Sequence, residues 1–228
     1  DVGNKTINVA LAEGKEAKAS GTNVGQYAMK LTKDDFVVTS DNYNNIKVVV
    51  VDGYLDITPI TDEVTVTITG NSDTKVYNGS EQTVTGFTTD VGDKTITVAL
   101  KEGKEAKASG TNAGHYTMNL TEDDFTATSS NYSKIKLVVH DGSLEITPVT
   151  SEVIVKIAGR HDTKTYTGKE LSVEGYDVLQ KPDNSVSVSL KADQEAKAAG
   201  TNVGTYYMGL TADAFEATST NYNNIKVE

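Results

Sequence analysis

Two pairs of adjacent carboxylates, Asp34-Asp35 and Asp123-Asp124, and three histidines are the side chains whose types could support chemistry. Paired carboxylates can hold calcium or serve as acid and base in glycoside hydrolysis, and histidine can transfer protons or bind zinc. The sequence contains 0 Cys, which excludes disulfides and thiolate metal sites. It also contains no Gly-x-Ser-x-Gly motif and no phosphate-binding loop, so no sequence motif indicates nucleophilic hydrolysis or nucleotide binding.

These residues sit in an array of one long repeat. The segment that begins at Asp1 returns at Asp90, and Gly21, Gly110 and Gly200 fix the spacing at 89 and then 90 residues. Because this period is longer than a solenoid unit, each copy is expected to be a domain with its own core. Division at Ile-Thr-Pro predicts a partial module over 1–59, a complete module over 60–148 and a module over 149–228 without its final hairpin strand. We expect the array to continue in a longer chain.

The repeat argues against most of the chemistry. Gln26 and Thr205 stand in the place of His115, so the module forms without that histidine and no catalytic or zinc role is expected. The third copy has Asp213-Ala214 in the place of the paired carboxylates. The pairs are therefore predicted to cap short turns, with weak calcium binding as the alternative. We predict no enzyme, no catalytic residue, no cofactor and no metal site.

One covalent possibility remains open from the residue types. Some surface domains that lack disulfides are held together by a bond between a lysine and an asparagine side chain, formed with loss of ammonia. Lys75 or Lys164, together with Asn112 or Asn202, would supply the two groups.

Apolar residues alternate with polar ones along most segments, which is typical of half-buried strands. The fold is therefore predicted to be all-β, with tandem small Ig-like β-sandwich modules in an elongated array. The alternative is a β-grasp-like module with one short helix, at Leu120–Phe125. Gly53 and Gly142 follow aspartates, and each Asp-Gly pair predicts a tight hairpin turn.

Two further sets of residues are predicted to be structural. Thr-Asn-Ala-Gly-His-Tyr, which ends at Tyr116, resembles a tyrosine corner, in which the hydroxyl bonds back to nearby backbone. Its counterparts are Tyr27 and Tyr206, and ligand stacking is the alternative role for all three. Pro59 and Pro148 hold the preceding threonine in extended geometry, which favours short, stiff junctions between modules.

The charge balance excludes some partners. The net charge is -11, with 21 Lys and Arg against 32 Asp and Glu, which argues against nucleic acid and anionic membranes. No segment approaches the roughly 20 apolar residues of a membrane-spanning helix. An elongated monomer within a longer chain is the expected state.

Two motifs resemble a known family of repeats. Lys-Val-Tyr-Asn-Gly (75–79) and Lys-Thr-Tyr-Thr-Gly (164–168) are similar to the opening motif of the YDG and MBG repeats of bacterial surface adhesins. Asn-Tyr-Ser-Lys-Ile-Lys-Leu-Val-Val-His-Asp-Gly-Ser-Leu-Glu-Ile-Thr-Pro (131–148) is similar to their closing motif. Asn78 and Thr167 depart from the usual Asp of the opening motif. The resemblance extends over essentially the whole chain.

This resemblance implies tandem modules on the bacterial cell surface or in secreted proteins, attached to the wall or released. It implies a structural stalk that projects a binding region from the cell. The alternative is that each module binds a host glycan or protein and that repetition adds avidity. Tyr54 is a candidate for such binding, although Ser143 replaces it in the next copy.

Overall fold

The computed structural model describes residues 6–92 and 95–228, and in this part the protein is all-β. The first five residues of the predicted first module, and Asp93 and Lys94 of the second, lie outside the described residues. The described residues form helix only in three 3-10 turns, Lys33–Asp35, Glu122–Asp124 and Ala212–Ala214. A three-residue turn cannot cover a sheet as the helix of the β-grasp alternative would, and the prediction of an all-β, sandwich-type fold is confirmed.

The strands are short, and each strand of the first and third repeats lies at a place equivalent to a strand of the middle repeat. The first repeat contains β1 (Asn8–Leu11), β2 (Gly25–Ala28), β3 (Phe36–Thr39) and β4 (Tyr54–Ile57). The middle repeat contains β5 (Val64–Gly70), β6 (Asp73–Val76), β7 (Gln82–Thr85), β8 (Phe87–Asp90), β9 (Thr97–Leu100), β10 (Lys107–Gly110), β11 (Gly114–Thr117), β12 (Phe125–Thr128), β13 (Ile135–His140) and β14 (Ser143–Thr147). The third repeat contains β15 (Val153–Gly159), β16 (Leu171–Glu174), β17 (Tyr176–Gln180), β18 (Ser187–Leu190), β19 (Lys197–Gly200), β20 (Phe215–Thr218) and β21 (Ile225–Val227).

The middle repeat shows the most complete set of pairings. β7 pairs with β10 and β9 with β12, both antiparallel, while β5 lies between β13 and β8. β14 lies between β11 and β6, antiparallel to the first and parallel to the second. β14 is the central strand of its sheet, and its apolar side chains Leu144 and Ile146 are fully buried. They lie in the core with Ile68 of β5, as the alternation along these strands predicts.

The predicted hairpin at each Asp-Gly pair is wrong. β13 and β14 flank Gly142 but belong to different sheets, and neither Gly53 nor Gly142 has a positive φ. Gly142 is needed instead because a Cβ there would overlap the backbone of Gly70 and Asn71. The chain crosses from one sheet to the other at this point, since β14 has both of its edges taken by β11 and β6.

The aspartate before each of these glycines holds this part of the chain in place through hydrogen bonds. The Asp141 carboxylate accepts hydrogen bonds from the backbone N–H groups of Asn119 and Leu120, each at 2.9 Å. In the first repeat the Asp52 carboxylate accepts from Lys30 and Leu31, also at 2.9 Å. Asn119 and Lys30 both have φ 59, in the left-handed region, and this turns their N–H groups to the carboxylate.

The described chain packs into two compact units that do not follow the repeat period. Unit 1 takes the residues up to Thr67 together with Thr89–Lys101 and Glu122–Val138. Unit 2 takes Ile68–Thr88, Glu102–Thr121 and Val139–Glu228. Each unit therefore combines residues of two successive repeats. The division into three modules stays a prediction from the sequence.

Candidate functional site

In each unit, the contact between successive repeats begins at the residue directly after the linker proline. The N–H of Ile60, directly after Pro59, donates to the carbonyl of Asn131 at 2.9 Å. The N–H of Val149, directly after Pro148, donates in the same way to Asn221 at 2.9 Å. Each linker is thus fixed to the Asn-Tyr segment of the repeat that it opens.

The side chain of the same asparagine holds a loop of the preceding repeat, and we name this arrangement the asparagine clasp. In unit 1, Asn131 Oδ1 accepts from the N–H of Val24 at 2.8 Å, and its Nδ2 donates to Asn23 Oδ1 at 3.1 Å. The first repeat and the middle repeat are therefore joined through one asparagine, whose backbone and side chain bind different repeats.

The clasp recurs in unit 2 with the same atoms. Asn221 Oδ1 accepts from the N–H of Ala113 at 2.7 Å, and its Nδ2 donates to Asn112 Oδ1 at 3.0 Å. Asn221 is 0% exposed. A buried amide is stable only when its polar atoms are paired, and both polar side-chain atoms of Asn221 have partners here. Its own N–H donates to Ser219 Oγ at 3.0 Å, which orients the residue.

The loop that each clasp receives is shaped by the tyrosines predicted to form corners. The hydroxyls of Tyr27, Tyr116 and Tyr206 donate to the carbonyls of Asn23, Asn112 and Asn202, at 2.8, 2.8 and 3.1 Å. Each ring also lies over the glycine six residues upstream, where a Cβ would overlap the ring; these glycines are Gly21, Gly110 and Gly200. The corner thus sets the position of the asparagine and the following N–H that the clasp binds.

A second group of contacts joins the middle and third repeats within unit 2. The hydroxyls of Tyr77 and Tyr222 both donate to Asp183 Oδ2, at 2.9 and 2.8 Å. The two rings meet edge to face, with centroids 5.5 Å apart. The N–H of Ser185 donates to Asp183 Oδ1 at 2.7 Å. Tyr77 comes from the opening motif of the middle repeat, so the motif that supports the family resemblance is part of this contact.

Among the side chains of Tyr77, Tyr222 and Asp183, only the Asp183 carboxylate is charged. Burial acts to raise the pKa of Asp183, but the hydrogen bonds from Ser185, Tyr222 and Tyr77 outweigh it and hold this pKa at about 2. Burial and the neighbouring carboxylate together raise the pKa of Tyr222 to about 12. The pKa of Tyr77 is raised by the same two causes. At neutral pH the contact therefore consists of an ionised aspartate between two neutral tyrosines.

The residues singled out for chemistry are placed elsewhere. His115 lies on the surface, with Nδ1 3.0 Å from Glu145 Oε2. The Asp35 carboxylate accepts from the N–H and the hydroxyl of Thr32, at 2.7 and 2.8 Å, and lies 2.8 Å from Lys15 Nζ. Hydrogen bonds from Lys15 and Thr32 lower the pKa of Asp35 to about 2. Asp35 therefore orders its own turn.

The lysines considered for a covalent bond have other partners. Lys75 Nζ donates to the carbonyl of Thr83 at 2.7 Å, and Lys164 Nζ donates to the carbonyl of Ser172 at 2.6 Å. Asn112 is occupied by the clasp. The structure thus assigns these lysines and Asn112 to hydrogen bonds that tie strands and repeats together.

Within residues 6–92 and 95–228, no three His, Asp or Glu side chains converge as metal ligands would. No helix in the same residues is long and apolar enough to cross a membrane. No protein-family model, curated protein or solved structure matches this chain.

Sequence reasoning did not assign a role to Asn131 and Asn221. The signal was present, since Ser-x-Asn-Tyr recurs at Ser40, Ser129 and Ser219, once in each repeat. Only the second residue of the motif differs between the three copies, which marks the asparagine as a position to examine. Its partner, the Thr-Asn-x-Gly loop, lies 108 or 109 residues away in the sequence, so spacing alone could not connect the two.

Proposed function

We propose that this chain is a structural spacer of a bacterial cell-surface adhesin, in which similar repeats are held in sequence to project a binding region. The asparagine clasp is the observation that carries the proposal. It occurs at both meetings of successive repeats with the same donor and acceptor atoms. A contact that recurs with the repeat serves the array, because the same geometry can be copied at every junction.

The physical logic of the clasp fits a spacer. The linker is a single proline, and the residue after it is fixed by a backbone hydrogen bond. Successive repeats therefore have little freedom to move relative to each other. The clasp adds two side-chain hydrogen bonds, and the contact of Tyr77 with Asp183 adds a charged one. Together these contacts resist bending and twisting at the junction without a covalent cross-link.

The family resemblance supplies the location. The opening and closing motifs resemble those of repeats in extracellular proteins of bacteria, and the proposed site of action is the bacterial cell surface. The alternative, in which each repeat binds a host glycan or protein, would need an exposed group that recurs. Tyr54 is exposed in the first repeat, whereas its counterpart Ser143 is half-buried in β14. The repeated feature is the clasp, and this favours the spacer.

Small-angle X-ray scattering of the whole chain tests the proposal. We expect a monomer with an extended pair-distance distribution that stays unchanged between 0 and about 0.5 M salt, since the clasp is made of uncharged groups. Removing both clasps with Asn131→Ala and Asn221→Ala should broaden that distribution. Asn42→Ala is the matched control, because Asn42 is exposed and the described structure gives its side chain no partner. A compact particle, or a double variant that scatters like the wild type, would reject the spacer.

A further inference from the structure

The turn that follows β6 contains Asn78, the only asparagine of the sequence that is followed by glycine. Asn78 and Gly79 are both exposed. Because glycine has no Cβ, its backbone nitrogen can approach the preceding side-chain amide without steric hindrance. The counterpart in the third repeat is Thr167-Gly168, which has no amide. Of the two opening motifs, the one in the middle repeat therefore has both groups of an intramolecular reaction.

The backbone nitrogen of Gly79 is available for this reaction. Its N–H has no acceptor within residues 6–92 and 95–228. An N–H that donates a hydrogen bond loses its proton less readily than a free one. At several other asparagines the following N–H is engaged in such a bond to a side chain; these groups belong to Val24, Ala113, Leu120 and Ser185.

The amide of Asn78 is held in a conformation that favours attack on its carbon. The Ser80 N–H donates to Asn78 Oδ1 at 2.9 Å. When the Gly79 nitrogen bonds to Cγ, negative charge develops on Oδ1, and a donor aimed at that oxygen stabilises the charge. Gly79 has φ 78, a left-handed conformation that glycine adopts without strain. The folded turn therefore provides the electrophile, the nucleophile and one stabilising donor.

We propose that Asn78 is a site of spontaneous deamidation. The Gly79 nitrogen loses its proton to hydroxide and bonds to Asn78 Cγ, the Cγ–Nδ2 bond breaks, and ammonia leaves. Water then opens the cyclic imide. Cleavage of the bond between the nitrogen and Cγ gives aspartate, and cleavage of the bond to the main-chain carbonyl carbon gives isoaspartate. The inference does not depend on the spacer function.

The modified position lies beside a contact between the middle and third repeats. Tyr77 directly precedes Asn78, and its hydroxyl donates to Asp183 Oδ2 at 2.9 Å. Both products add a carboxylate one residue from Tyr77, and isoaspartate also adds one carbon atom to the main chain of the turn. Conversion therefore changes the charge and the chain length next to a residue that joins two repeats.

Peptide mapping of the whole chain, held at 37 °C and mildly alkaline pH, tests the site. We expect a gain of about 1 Da at residue 78, in two products that chromatography separates as aspartate and isoaspartate. Asn184 is the matched comparison, because it is exposed but the N–H of the following Ser185 is bound to Asp183. Asn78 should convert at least about tenfold faster than Asn184. Equal rates at the two asparagines would overturn the proposal.

Two further comparisons test whether the folded turn is reactive. The synthetic peptide of residues 75–82, Lys-Val-Tyr-Asn-Gly-Ser-Glu-Gln, has the same groups without the fold. We expect Asn78 in the folded chain to convert within about tenfold of the peptide rate, because the turn keeps the reacting groups in place. Asn78→Thr gives the middle repeat the residue of the third and should remove most of the acidic species that ion exchange separates. A folded chain more than about 100-fold slower than the peptide would contradict the proposal, as would an Asn78→Thr variant that becomes acidic as fast as the wild type.

Discussion

Tyr77 and Tyr166 occupy the same place in successive repeats, yet 8% of the first side chain is exposed and 59% of the second. Their local sequences, Lys-Val-Tyr-Asn-Gly and Lys-Thr-Tyr-Thr-Gly, share the lysine, the tyrosine and the glycine. The difference comes from what packs on them: Tyr77 contacts Asp183 and Tyr222 of the next repeat. The Thr-Asn-x-Gly loops of the two repeats differ in the same way. The N–H of Ala113 donates to Asn221, whereas its counterpart Val203 is 88% exposed.

This comparison shows that part of the burial in each repeat is provided by its neighbour. The pattern of apolar residues in one repeat therefore describes only part of its core. Substitutions at paired positions in the middle and third repeats can separate the contribution of the neighbouring elements from that of the local sequence.

The largest difference is expected between Gly70→Ala and Gly159→Ala. A Cβ at Gly70 would overlap the backbone of Gly142, which cannot move without shifting β14. We expect a loss of about 3 kcal/mol in the free energy of unfolding. At Gly159 a Cβ would meet the ends of Met208 and Leu210 at 3.1 and 3.3 Å, which can shift, so the loss should be below about 1 kcal/mol. Urea unfolding of both variants measures the difference, and equal losses would mean that the two sites are packed alike.

Asn221→Ala comes next in magnitude. It removes a fully buried side chain and leaves the N–H of the half-buried Ala113 without its acceptor and the Asn112 side chain without its donor, at a cost of about 2 kcal/mol. Asn42→Ala in the first repeat removes the equivalent residue where it is exposed and should leave stability unchanged. Thermal and urea unfolding would give the two values. A loss for Asn42→Ala as large as that for Asn221→Ala would show that the residue acts within its own repeat.

Tyr77→Phe should have a smaller effect. It removes one hydrogen bond to an ionised carboxylate, while Tyr222 and Ser185 continue to donate to Asp183, and we expect a loss of about 1.5 kcal/mol. Tyr166→Phe removes an exposed hydroxyl and should be neutral. If both variants unfold at the wild-type urea concentration, the contact of Tyr77 with Asp183 contributes nothing to stability.

The pH dependence of stability gives the most specific effect. The folded pKa of Asp183, about 2, lies below its usual value, so its contribution is present above about pH 4 and is lost as the pH falls toward 2. The folded pKa of Tyr222, about 12, lies above its usual value, so its contribution is present below about pH 10 and is lost as the pH rises toward 12. Melting temperatures across this range should fall at both ends. Tyr222→Phe should reduce the alkaline fall, and an unchanged alkaline fall in this variant would assign it to another group.

The sequence predicts the all-β class well because alternation along β5, β13 and β14 reports local burial directly. The bonds from Tyr116 to Asn112 and from Tyr27 to Asn23 also follow from local sequence, since donor and acceptor are four residues apart. The predicted hairpin at Gly142 was wrong because an Asp-Gly pair indicates a turn but does not determine whether the two flanking strands pair with each other. β14 finds its partners at β6 and β11, about 70 and 30 residues away in the sequence.

The clasp could not be derived from the sequence for a related reason. Asn131 and Asn221 act through loops of the preceding repeat, and an asparagine beside a tyrosine is equally compatible with a local turn. Ser129 and Ser219 do make that local turn, through their hydroxyls. Only the structure shows that the side-chain amide is turned toward another repeat.

Amide hydrogen exchange of the unmodified chain at three equivalent positions tests the central claim most directly. The N–H groups of Val24 and Ala113 donate to Asn131 and Asn221, while that of Val203 has no such acceptor among the described residues. If asparagine clasps hold successive repeats together, the amides of Val24 and Ala113 will exchange at least about 100-fold more slowly than that of Val203. Exchange of all three amides at the same rate would contradict the account.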